Sequence, residues 1–418
     1  VGHAMLRRDP PVFLPASGPA GGEFAADVPA ICAWATGLDR SYVPIQGPPG
    51  TGKTYTGAQL VHTLVTAGLR VGITAMSHAA IDNLMQAVVD RFKEEGDSGK
   101  LRAVRKAKEG SLRGIRYVDD NAGVARSGFN VVAGTTWLFA SKPMREVPVD
   151  VLVVDEAGQL GLADTLASTI SATNVILLGD PQQLPQVSQA SHPGGAGASA
   201  LEHLLDGDIT VPADRGVLLE TTWRMHPDVC EFISDVMYGG RLHSHPCCGG
   251  QSVAGATGLR WLRAEHKGRS TESPEEAAIV VAKVRELLGR PWTDQHGVTR
   301  PLTVRDFMVV APYNDQRRCI TEALQVDPAT RRVEVGTVDK FQGREAAVVL
   351  FSMATSSAEY MPRSADFLFS KNRLNVAISR ARCLAYLVCT DELLDTRARN
   401  VEEMTLISAL CSFVERAA

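Results

Sequence analysis

Short apolar runs alternate with amphipathic segments along most of the 418 residues. This alternation predicts an α/β fold, in which parallel strands are flanked by helices. In the first half of the chain, strands are predicted at 71–75, 130–133, 149–154 and 174–178. One predicted helix runs from residue 53 to about Ala67, where Gly68 ends it, and another runs from the Ser77 cap through Phe92.

A second alternating series begins after about Glu220. Its clearest helix has Ser273 as the N-cap, Pro274 at the first helical position and Gly289 at its end. One face of this helix is apolar and consists of Val280, Val284, Leu287 and Leu288. Strands are predicted at 307–310, 333–338, 347–352 and 384–389.

The chain is too long for one ordinary domain, so we expect two. The first domain would span 41–220 and the second 221–418, after a Pro- and Gly-rich linker or partial accessory region at 1–40. Within the first domain, the charged segment 93–128 is predicted as a surface insertion and the glycine-rich segment 188–200 as a mobile loop.

Charge and composition narrow the class of protein. A net charge of −4 argues against a generally basic nucleic-acid coat, although it permits a local basic channel. No apolar run is long enough to cross a bilayer and no signal-peptide pattern is present, so we expect a cytoplasmic protein. The crowding of His243, His245, Cys247 and Cys248 favours a polar loop over a metal site, because structural zinc ligands usually come from two separated pairs.

The most specific motif is a phosphate loop, G-x-x-x-x-G-K-[ST], between an extended run and a helical run. Its residues are Gly47, Pro48, Pro49, Gly50, Thr51, Gly52, Lys53 and Thr54. The backbone N–H groups of such a loop surround phosphates, and the following helix N-terminus adds a positive dipole end. We expect Lys53 to reach the β- and γ-phosphates and Thr54 to ligate Mg²⁺, so the predicted cofactors are ATP and Mg²⁺.

An acidic pair, Asp155 and Glu156, follows the apolar run 151–154. An acid at the carboxyl end of a buried parallel strand is where the second Mg²⁺ contact is needed, and Asp155 is predicted to supply it. Glu156 is predicted to orient or deprotonate the attacking water. Gln183, in a loop after the next predicted strand, is expected near the γ-phosphate.

Four later segments distinguish a nucleic-acid motor from a kinase or a GTPase. They are residues 177–185, 223–227, 339–345 and 374–382, and the last of them is predicted as a helix. In this order they resemble the superfamily 1 helicases, in the branch of the nonsense-mediated-decay helicase and its helicase–nuclease relatives. The resemblance runs from about residue 42 to 389. Within the branch, the chain is most like the helicase portion of bacterial RecB-like nuclease–helicase fusions, through the stretches 191–193, 353–357 and 374–383.

The resemblance implies two tandem RecA-like domains with a nucleotide in the cleft between them. Arg224 and Arg380 would stabilise the charge that develops on the γ-phosphate. Trp223 would stack on the base, although it could instead belong to the edge of a domain core. Gly343 and Glu345 would also bind the nucleotide, Glu345 through the ribose.

The resemblance also implies that loops after several strands grip single-stranded nucleic acid. The residues concerned are Ser77, His78, Thr135, Thr136, Pro312, Tyr313 and Thr337. Hydroxyls and backbone amides at such points can hold phosphates without reading the sequence. Two alternatives remain open here, since Tyr313 could be a packing residue and His78 a surface residue. The charged run 102–116 could line the nucleic-acid path or be solvated.

The sequence departs from the branch at three points. Gln46 is the only Gln before Lys53 and belongs to the strand of the loop, so adenine selectivity is in doubt. Pro44 lies in a predicted central strand, where a missing N–H is awkward. The segment before Gly47 is too short for the β-barrel that often precedes the loop.

The resulting prediction is an ATP-hydrolysing helicase or translocase on single-stranded DNA or RNA, with DNA slightly preferred and 5′-to-3′ polarity implied by resemblance. Two alternatives are an ATP-gated nucleic-acid clamp that barely unwinds and a P-loop ATPase acting on a protein or small molecule. No nuclease constellation is visible, so a nuclease would be a partner domain or subunit. The resemblance suggests a bacterial cytoplasm.

Overall fold

The computed structural model describes residues 1–126, 128–185, 193–341, 343–362 and 365–417. The chain divides into two compact units, Val1–Pro181 with Pro185–Glu220, and Gln182–Leu184 with Thr221–Ala418. Each is built on a parallel sheet with helices, so the predicted α/β class is confirmed. Ser191 and His192, which carry part of the resemblance, and residues 188–192 of the predicted mobile loop lie outside the described residues.

The strands of the first unit are β1 (Tyr42–Gln46), β2 (Val71–Ala75), β3 (Ala103–Lys106), β4 (Ile115–Val118), β5 (Val131–Ala133), β6 (Val149–Asp155), β7 (Ala172–Gly179) and β8 (Val217–Leu218). They form one parallel sheet in the order β4-β3-β5-β2-β6-β7-β1-β8. The helices are α1 (Gly2–Arg7), α2 (Val28–Ala35), α3 (Lys53–Thr66), α4 (His78–Glu94), α5 (Asn121–Val124), α6 (Thr136–Phe139), α7 (Lys142–Glu146), α8 (Leu162–Thr169) and α9 (Ala200–Leu205).

Both faces of this sheet are buried, as a parallel sheet requires. Val151 and Val153 of β6 enter one apolar cluster with side chains of α2, α3 and α4. Leu152 and Val154, which point the other way, enter a second cluster with side chains of α5, α6, α7 and α9. The continuous apolar run at 151–154 therefore indicated a central strand correctly.

Residues 1–40 form part of the first unit, whereas the Pro and Gly content had predicted a linker. Met5 of α1 is buried on one face of the sheet, and Ile31 and Trp34 of α2 are buried on the other. Trp34 also packs edge-on against Phe24. Pro and Gly shape the turns here, but the apolar side chains between them decide the packing.

The segment 93–128, predicted as a surface insertion, contributes two strands to the sheet. β3 pairs in parallel with β5, and β4 continues the sheet to its edge. Short edge strands carry few apolar positions, which explains why the segment shows little periodicity.

Pro44 lies within β1, and the alternation of a parallel ladder explains why it is tolerated. Gly47 N donates to β7, whereas Gln46 O accepts from Leu219 N beyond β8. Pro44 shares the side of Gln46 and therefore faces β8. The ladder between β1 and β8 begins only at Ile45, so the missing N–H of Pro44 removes no ladder bond.

The strands of the second unit are β9 (Thr221–Thr222), β10 (His243–Ser244), β11 (Ser252–Val253), β12 (Gly258–Arg263), β13 (Pro291–Thr293), β14 (Thr299–Pro301), β15 (Phe307–Ala311), β16 (Glu334–Thr337), β17 (Ala346–Ser352) and β18 (Ala381–Cys389). The main sheet is parallel in the order β12-β18-β17-β15-β16, and the remaining strands form a β9-β10 pair and a small antiparallel sheet. The helices are α10 (Pro227–Tyr238), α11 (Pro274–Leu287), α12 (Asn314–Gln325), α13 (Ala365–Leu368), α14 (Lys371–Ile378), α15 (Asp391–Leu394) and α16 (Val401–Arg416). No helix within the described ranges is long and apolar enough to cross a membrane.

The predicted helix at 374–382 is wrong at its C-terminal end. α14 stops at Ile378 with Ser379 as its C-cap, and Arg380 follows in a turn. Ala381 then begins β18, which lies between β12 and β17 in the main sheet. The apolar run to Cys389 pairs on both sides as a strand, and this pairing overrides the helical tendency of the residues before it.

A buried polar network fixes the end of β17. One carboxylate oxygen of Glu276, which is fully buried in α11, lies 3.0 Å from His266 Nε2. The other accepts from Ser352 Oγ at 2.6 Å and from Ala354 N at 2.9 Å. Ala354 has a φ of +67°, a strained value for a residue with a side chain. The network therefore holds a backbone turn that Ala354 would not favour by itself.

We predict that Glu276→Ala destabilises the protein by about 3–5 kcal/mol, because it leaves several buried donors without an acceptor. Glu275→Ala, its neighbour on the same helix, removes a half-exposed pair with Arg269 and is expected to cost less than about 1 kcal/mol. Chemical denaturation followed by tryptophan fluorescence measures both free energies of unfolding. Equal losses in the two variants would contradict the role of the buried network.

Candidate active site

The phosphate loop leaves β1 at its carboxyl end and leads directly into α3. Gly50 and Gly52 have φ values of +77° and +81°, which are accessible to glycine at low cost. Thr51 Oγ1 donates to Pro48 O at 2.8 Å and closes the loop. α3 begins at Lys53, so the positive end of its dipole faces the loop, where an anion would be stabilised.

Lys53 crosses the loop in this structure. Its Nζ donates to Gly47 O and lies 3.4 Å from Pro48 O. A Cβ added to Gly47 would lie 2.2 Å from Lys53 Cγ, so only glycine leaves room for this side chain. The lysine is therefore held over the position where the loop curves.

The acidic pair lies at the same edge of the sheet as the loop, because β6 and β1 flank β7 in parallel. Asp155 is buried, and one of its oxygens accepts from Glu156 N at 2.9 Å. Burial raises the pKa of Asp155, against the attraction of Lys53. Burial and the neighbouring Asp155 together raise the pKa of Glu156 to about 7. A carboxyl group with this pKa can accept a proton near neutral pH.

The donor set around Asp155 fits Mg²⁺. Thr54 offers a hydroxyl at the exposed start of α3, and Asp155 retains a carboxylate oxygen beyond the one that binds Glu156 N. Hard oxygen donors in small number are typical of Mg²⁺ sites that share the ion with phosphates and water.

In the second unit, Glu345 joins two arginines. Its carboxylate accepts from Arg224 Nε at 2.7 Å and also pairs with Arg382. Burial alone would raise the pKa of Glu345, but the two guanidinium groups outweigh it and hold that pKa below its usual value. Arg224 also donates to Ser379 O at 3.2 Å. Glu345 is thus a charged anchor for Arg224, and its predicted ribose contact stays a prediction.

Arg380 and Gln183 both belong to the second unit. Arg380 is buried, and its Nη1 lies 3.4 Å from Arg344 O. The backbone carbonyl of Gln183 accepts from Asn372 Nδ2 in α14. In the same helix, Asn375 Nδ2 donates to Gln182 O at 2.8 Å. One short helix therefore holds the Gln183 segment and leads directly to Arg380.

Trp223 is half exposed, which argues against the alternative that it is a core residue. Its ring stacks on His245, with centroids 3.6 Å apart. His245 Nδ1 also accepts from Cys247 N at 3.3 Å. Among the described residues, no three His, Cys, Asp or Glu side chains are arranged to hold a metal ion.

Ser77 ends the loop after β2, and His78 is the first residue of α4. Ser77 caps α4 by accepting from Ala80 N, and both residues are exposed. Arg105, whose side chain is 1% exposed, donates through Nη2 to His78 Nδ1 at 2.8 Å and through Nε to Asp82 at 2.9 Å. Because a guanidinium can only donate, Nδ1 must accept, and the neutral imidazole carries its proton on Nε2.

Arg105 differs from what was predicted for the charged run 102–116. The sequence predicted that the whole run is either a solvated insertion or part of a nucleic-acid path, but Arg105 is buried and positions His78. The sequence of this run does not distinguish Arg105 from the other basic residues. Its burial results from the pairing of β3 with β5, which cannot be read from the local sequence.

The remaining candidates for nucleic-acid contact differ in accessibility. Thr135 is half-buried after β5, and Thr136 and Pro312 are buried. Thr337 is half-buried at the end of β16. Tyr313 is buried with its ring stacked on Phe367 at 5.6 Å, which favours the packing alternative. Gly343 is exposed with a φ of +77°.

Comparison with known proteins agrees with this arrangement. A family model described as "AAA domain" matches residues 197–392, and another with the same description matches residues 30–202. The chain is 30% identical over 359 residues to the DNA replication ATP-dependent helicase/nuclease DNA2 of Gallus gallus, covering 82% of this chain and 34% of that protein. It is 25% identical over 430 residues to the DNA-binding protein SMUBP-2 of Mesocricetus auratus, covering 85% and 42%. These matches are consistent with the resemblance to the superfamily 1 helicases.

The chain spans about a third to two fifths of the length of these curated relatives. Among solved structures, it is similar to an arterivirus nonstructural protein 10 (helicase) in complex with DNA. The TM-score is 0.45 at 17% identity, covering 88% of this chain and 62% of that one.

The raised pKa of Glu156 predicts a pH-dependent cost to stability. An ordinary carboxyl with a pKa near 4.5 ionises in the unfolded chain before Glu156 does in the folded one, so stability falls as the pH rises from about 4.5 to about 7. Glu156→Gln removes this cost. We expect the variant to gain up to about 2–3 kcal/mol over the natural chain at pH 8, and much less at pH 5.

Chemical denaturation at both pH values, without nucleotide or Mg²⁺, measures this gain. Glu146→Gln, which alters an exposed pair with Lys142, is the control and should show little change with pH. A gain for Glu156→Gln that is the same at pH 5 and pH 8 would contradict the raised pKa.

Proposed function

We propose that this chain hydrolyses ATP to move along single-stranded nucleic acid, as a helicase or translocase. The observation that carries the proposal is Glu156, a half-buried acid that lies beside Asp155 and the phosphate loop and has a pKa raised to about 7. A group of this kind is suited to take a proton from an attacking water at neutral pH. We further propose DNA as the preferred strand, which the names of the curated relatives support, and 5′-to-3′ movement.

The residues of the first unit divide the chemistry among them. Gly47 to Thr54 bind the phosphates through backbone N–H groups, and Lys53 leaves the loop carbonyls to neutralise phosphate charge. Thr54 and Asp155 would hold Mg²⁺, which neutralises charge on the phosphates when bound. Glu156 orients and deprotonates the water.

We propose that the second unit supplies the groups that respond to the γ-phosphate. Arg224 and Arg380 stabilise the charge that develops there, and Gln183 senses whether the phosphate is present. Glu345 keeps Arg224 extended by pairing with it, and Gly343 and Trp223 contribute to nucleotide binding. The predicted domain bounds 41–220 and 221–418, which put Gln183 in the first domain, are changed in this proposal, because residues 1–40 belong to the first unit and Gln182–Leu184 to the second.

The nucleic-acid strand would be held by Ser77, His78, Thr135 and Thr136 in the first unit. Pro312 and Thr337 would contribute in the second, with Tyr313 packing behind them. Hydroxyl and imidazole donors suit phosphate contacts that do not read sequence. We also infer that the chain is the helicase portion of a longer nuclease–helicase, since one curated relative is named as both. A nuclease domain or subunit is then the expected partner.

The proposal is tested by steady-state ATPase activity without nucleic acid, with single-stranded DNA and with single-stranded RNA of matched length at fixed salt. We expect strong stimulation, with the greater effect from DNA. Glu156→Gln should bind ATP but lose at least about a hundredfold in turnover, since general bases typically contribute that much.

Equal rates with and without nucleic acid would contradict the motor and favour an ATPase that acts on a protein or small molecule. Stimulation without strand displacement would instead identify an ATP-gated clamp. Retained turnover in Glu156→Gln would remove this residue from its assigned role.

His78 offers a separate test of the nucleic-acid contact. Because Arg105 accounts for Nδ1, the exposed donor is the Nε2–H. Gln can present an N–H donor at a similar reach, whereas Ala presents none. We expect His78→Gln to bind single-stranded DNA within about twofold of the natural chain and His78→Ala roughly tenfold more weakly, as for a lost hydrogen bond to a charged group.

Fluorescence anisotropy with labelled DNA over a range of salt concentrations measures this. Thr66→Ala removes an exposed, uncharged side chain at the C-terminal end of α3 and is the control, with a change below about twofold. Equal affinities for His78→Ala and the natural chain would exclude His78 from the interface.

A further inference from the structure

We propose that Trp137 is a stacking platform for a base of single-stranded nucleic acid. Its side chain is 82% exposed, and no other large apolar residue among those described is more exposed. Trp34 and Trp292, by contrast, are 2% and 4% exposed. This inference rests on the proposed function and adds a kind of contact that the phosphate-binding candidates do not provide.

The backbone beneath Trp137 is firmly anchored. The next two residues of α6, Leu138 and Phe139, are buried in the core of the first unit. Leu138 N donates to Thr135 O at 2.9 Å and Ala140 N to Thr136 O at 2.9 Å. The indole is therefore presented from a fixed turn, so little conformational entropy is lost when a base stacks on it.

The position of α6 identifies the surroundings of the indole. α6 follows β5, which pairs with β2 in parallel, and Gly134 N donates to Ile73 O at 3.1 Å. The loops after both strands therefore lie side by side at one edge of the sheet. The loop after β2 carries the exposed Met76 and Ser77, and the exposed His78 follows as the first residue of α4. An exposed π face beside hydroxyl and imidazole donors suits a chain of alternating bases and phosphates.

The adenine of bound ATP is excluded as the occupant by distance. The phosphate loop follows β1, and three strands separate β1 from β5 in the sheet order. At about 4.8 Å between neighbouring strands, the two loops are about 19 Å apart along the edge. A base attached to a nucleotide in the phosphate loop would have to span that distance. A separate nucleic-acid strand would not.

The test combines a variant with an altered ligand. Binding of oligodeoxythymidylate is compared with binding of a matched oligonucleotide that carries abasic units, for the natural chain, Trp137→Ala and Trp137→Phe. We expect Trp137→Ala to lose about 5- to 100-fold for the thymidylate and almost nothing for the abasic ligand, as for one stacked base. Trp137→Phe keeps a ring and should lose less.

Two further readouts separate stacking from a loss of charge or of structure. The dependence of affinity on salt should be unchanged in Trp137→Ala, because no phosphate contact is removed. Tryptophan fluorescence of the natural chain should be quenched by thymidylate, and Trp137→Phe should lose this quenching. Val326→Ala removes a side chain that is 80% exposed in the second unit and is the control, with unchanged affinity.

Equal losses for the thymidylate and the abasic ligand would overturn the stacking role, as would unchanged affinity in Trp137→Ala. In both cases the natural chain still binds nucleic acid, so the proposed function stands. If the natural chain binds neither oligonucleotide and its ATPase is not stimulated, the proposed function fails and this inference fails with it.

Discussion

The parallel direction of every strand in the first sheet is the constraint on which the candidate site depends. Because all carboxyl ends meet at one edge, the phosphate loop after β1 and the acids after β6 must lie at that edge. The loops after β2 and β5 lie there too. The order of strands then sets the separations. β2 pairs with both β6 and β5, so the segment that joins β2 to α4 and ends at His78 lies between the acidic pair and Trp137.

Two glutamates show how surroundings assign roles to one residue type. Glu156 is half-buried and the Glu345 side chain is 32% exposed, and this partial burial alone would raise both pKa values. Glu156 has the carboxylate of Asp155 beside it, so its pKa stays high and it can exchange a proton near neutral pH. Glu345 has two arginines beside it, so its pKa is low and it remains a charged anchor for Arg224. The difference follows from the partners.

Sequence patterns predicted the parts of the fold in which local and tertiary signals agree. β2 has the predicted bounds, and the Ser77 and Ser273 caps begin the predicted helices. The predictions were wrong where contacts between distant parts of the chain determine the structure. Residues 1–40 are part of the first unit because they pack on its sheet, and Ala381 belongs to a strand instead of the predicted helix because it pairs with β17. The phosphate loop and the acids could be proposed from the sequence because their chemistry is encoded in consecutive residues, whereas the ion pairs of Glu345 join residues far apart in the chain.

Trp137 and Arg105 illustrate why the rest of the site was not predicted. Tryptophan in an apolar stretch is ordinarily a core residue, and arginine in a charged run is ordinarily solvated. The fold reverses both expectations, since Trp137 is exposed and Arg105 is buried. Burying an arginine costs free energy that a similarly shaped apolar side chain would avoid, so packing alone does not explain it. The hydrogen bonds from Arg105 to His78 and Asp82 offer an explanation. They fix the exposed His78 ring at the same edge of the sheet as Trp137.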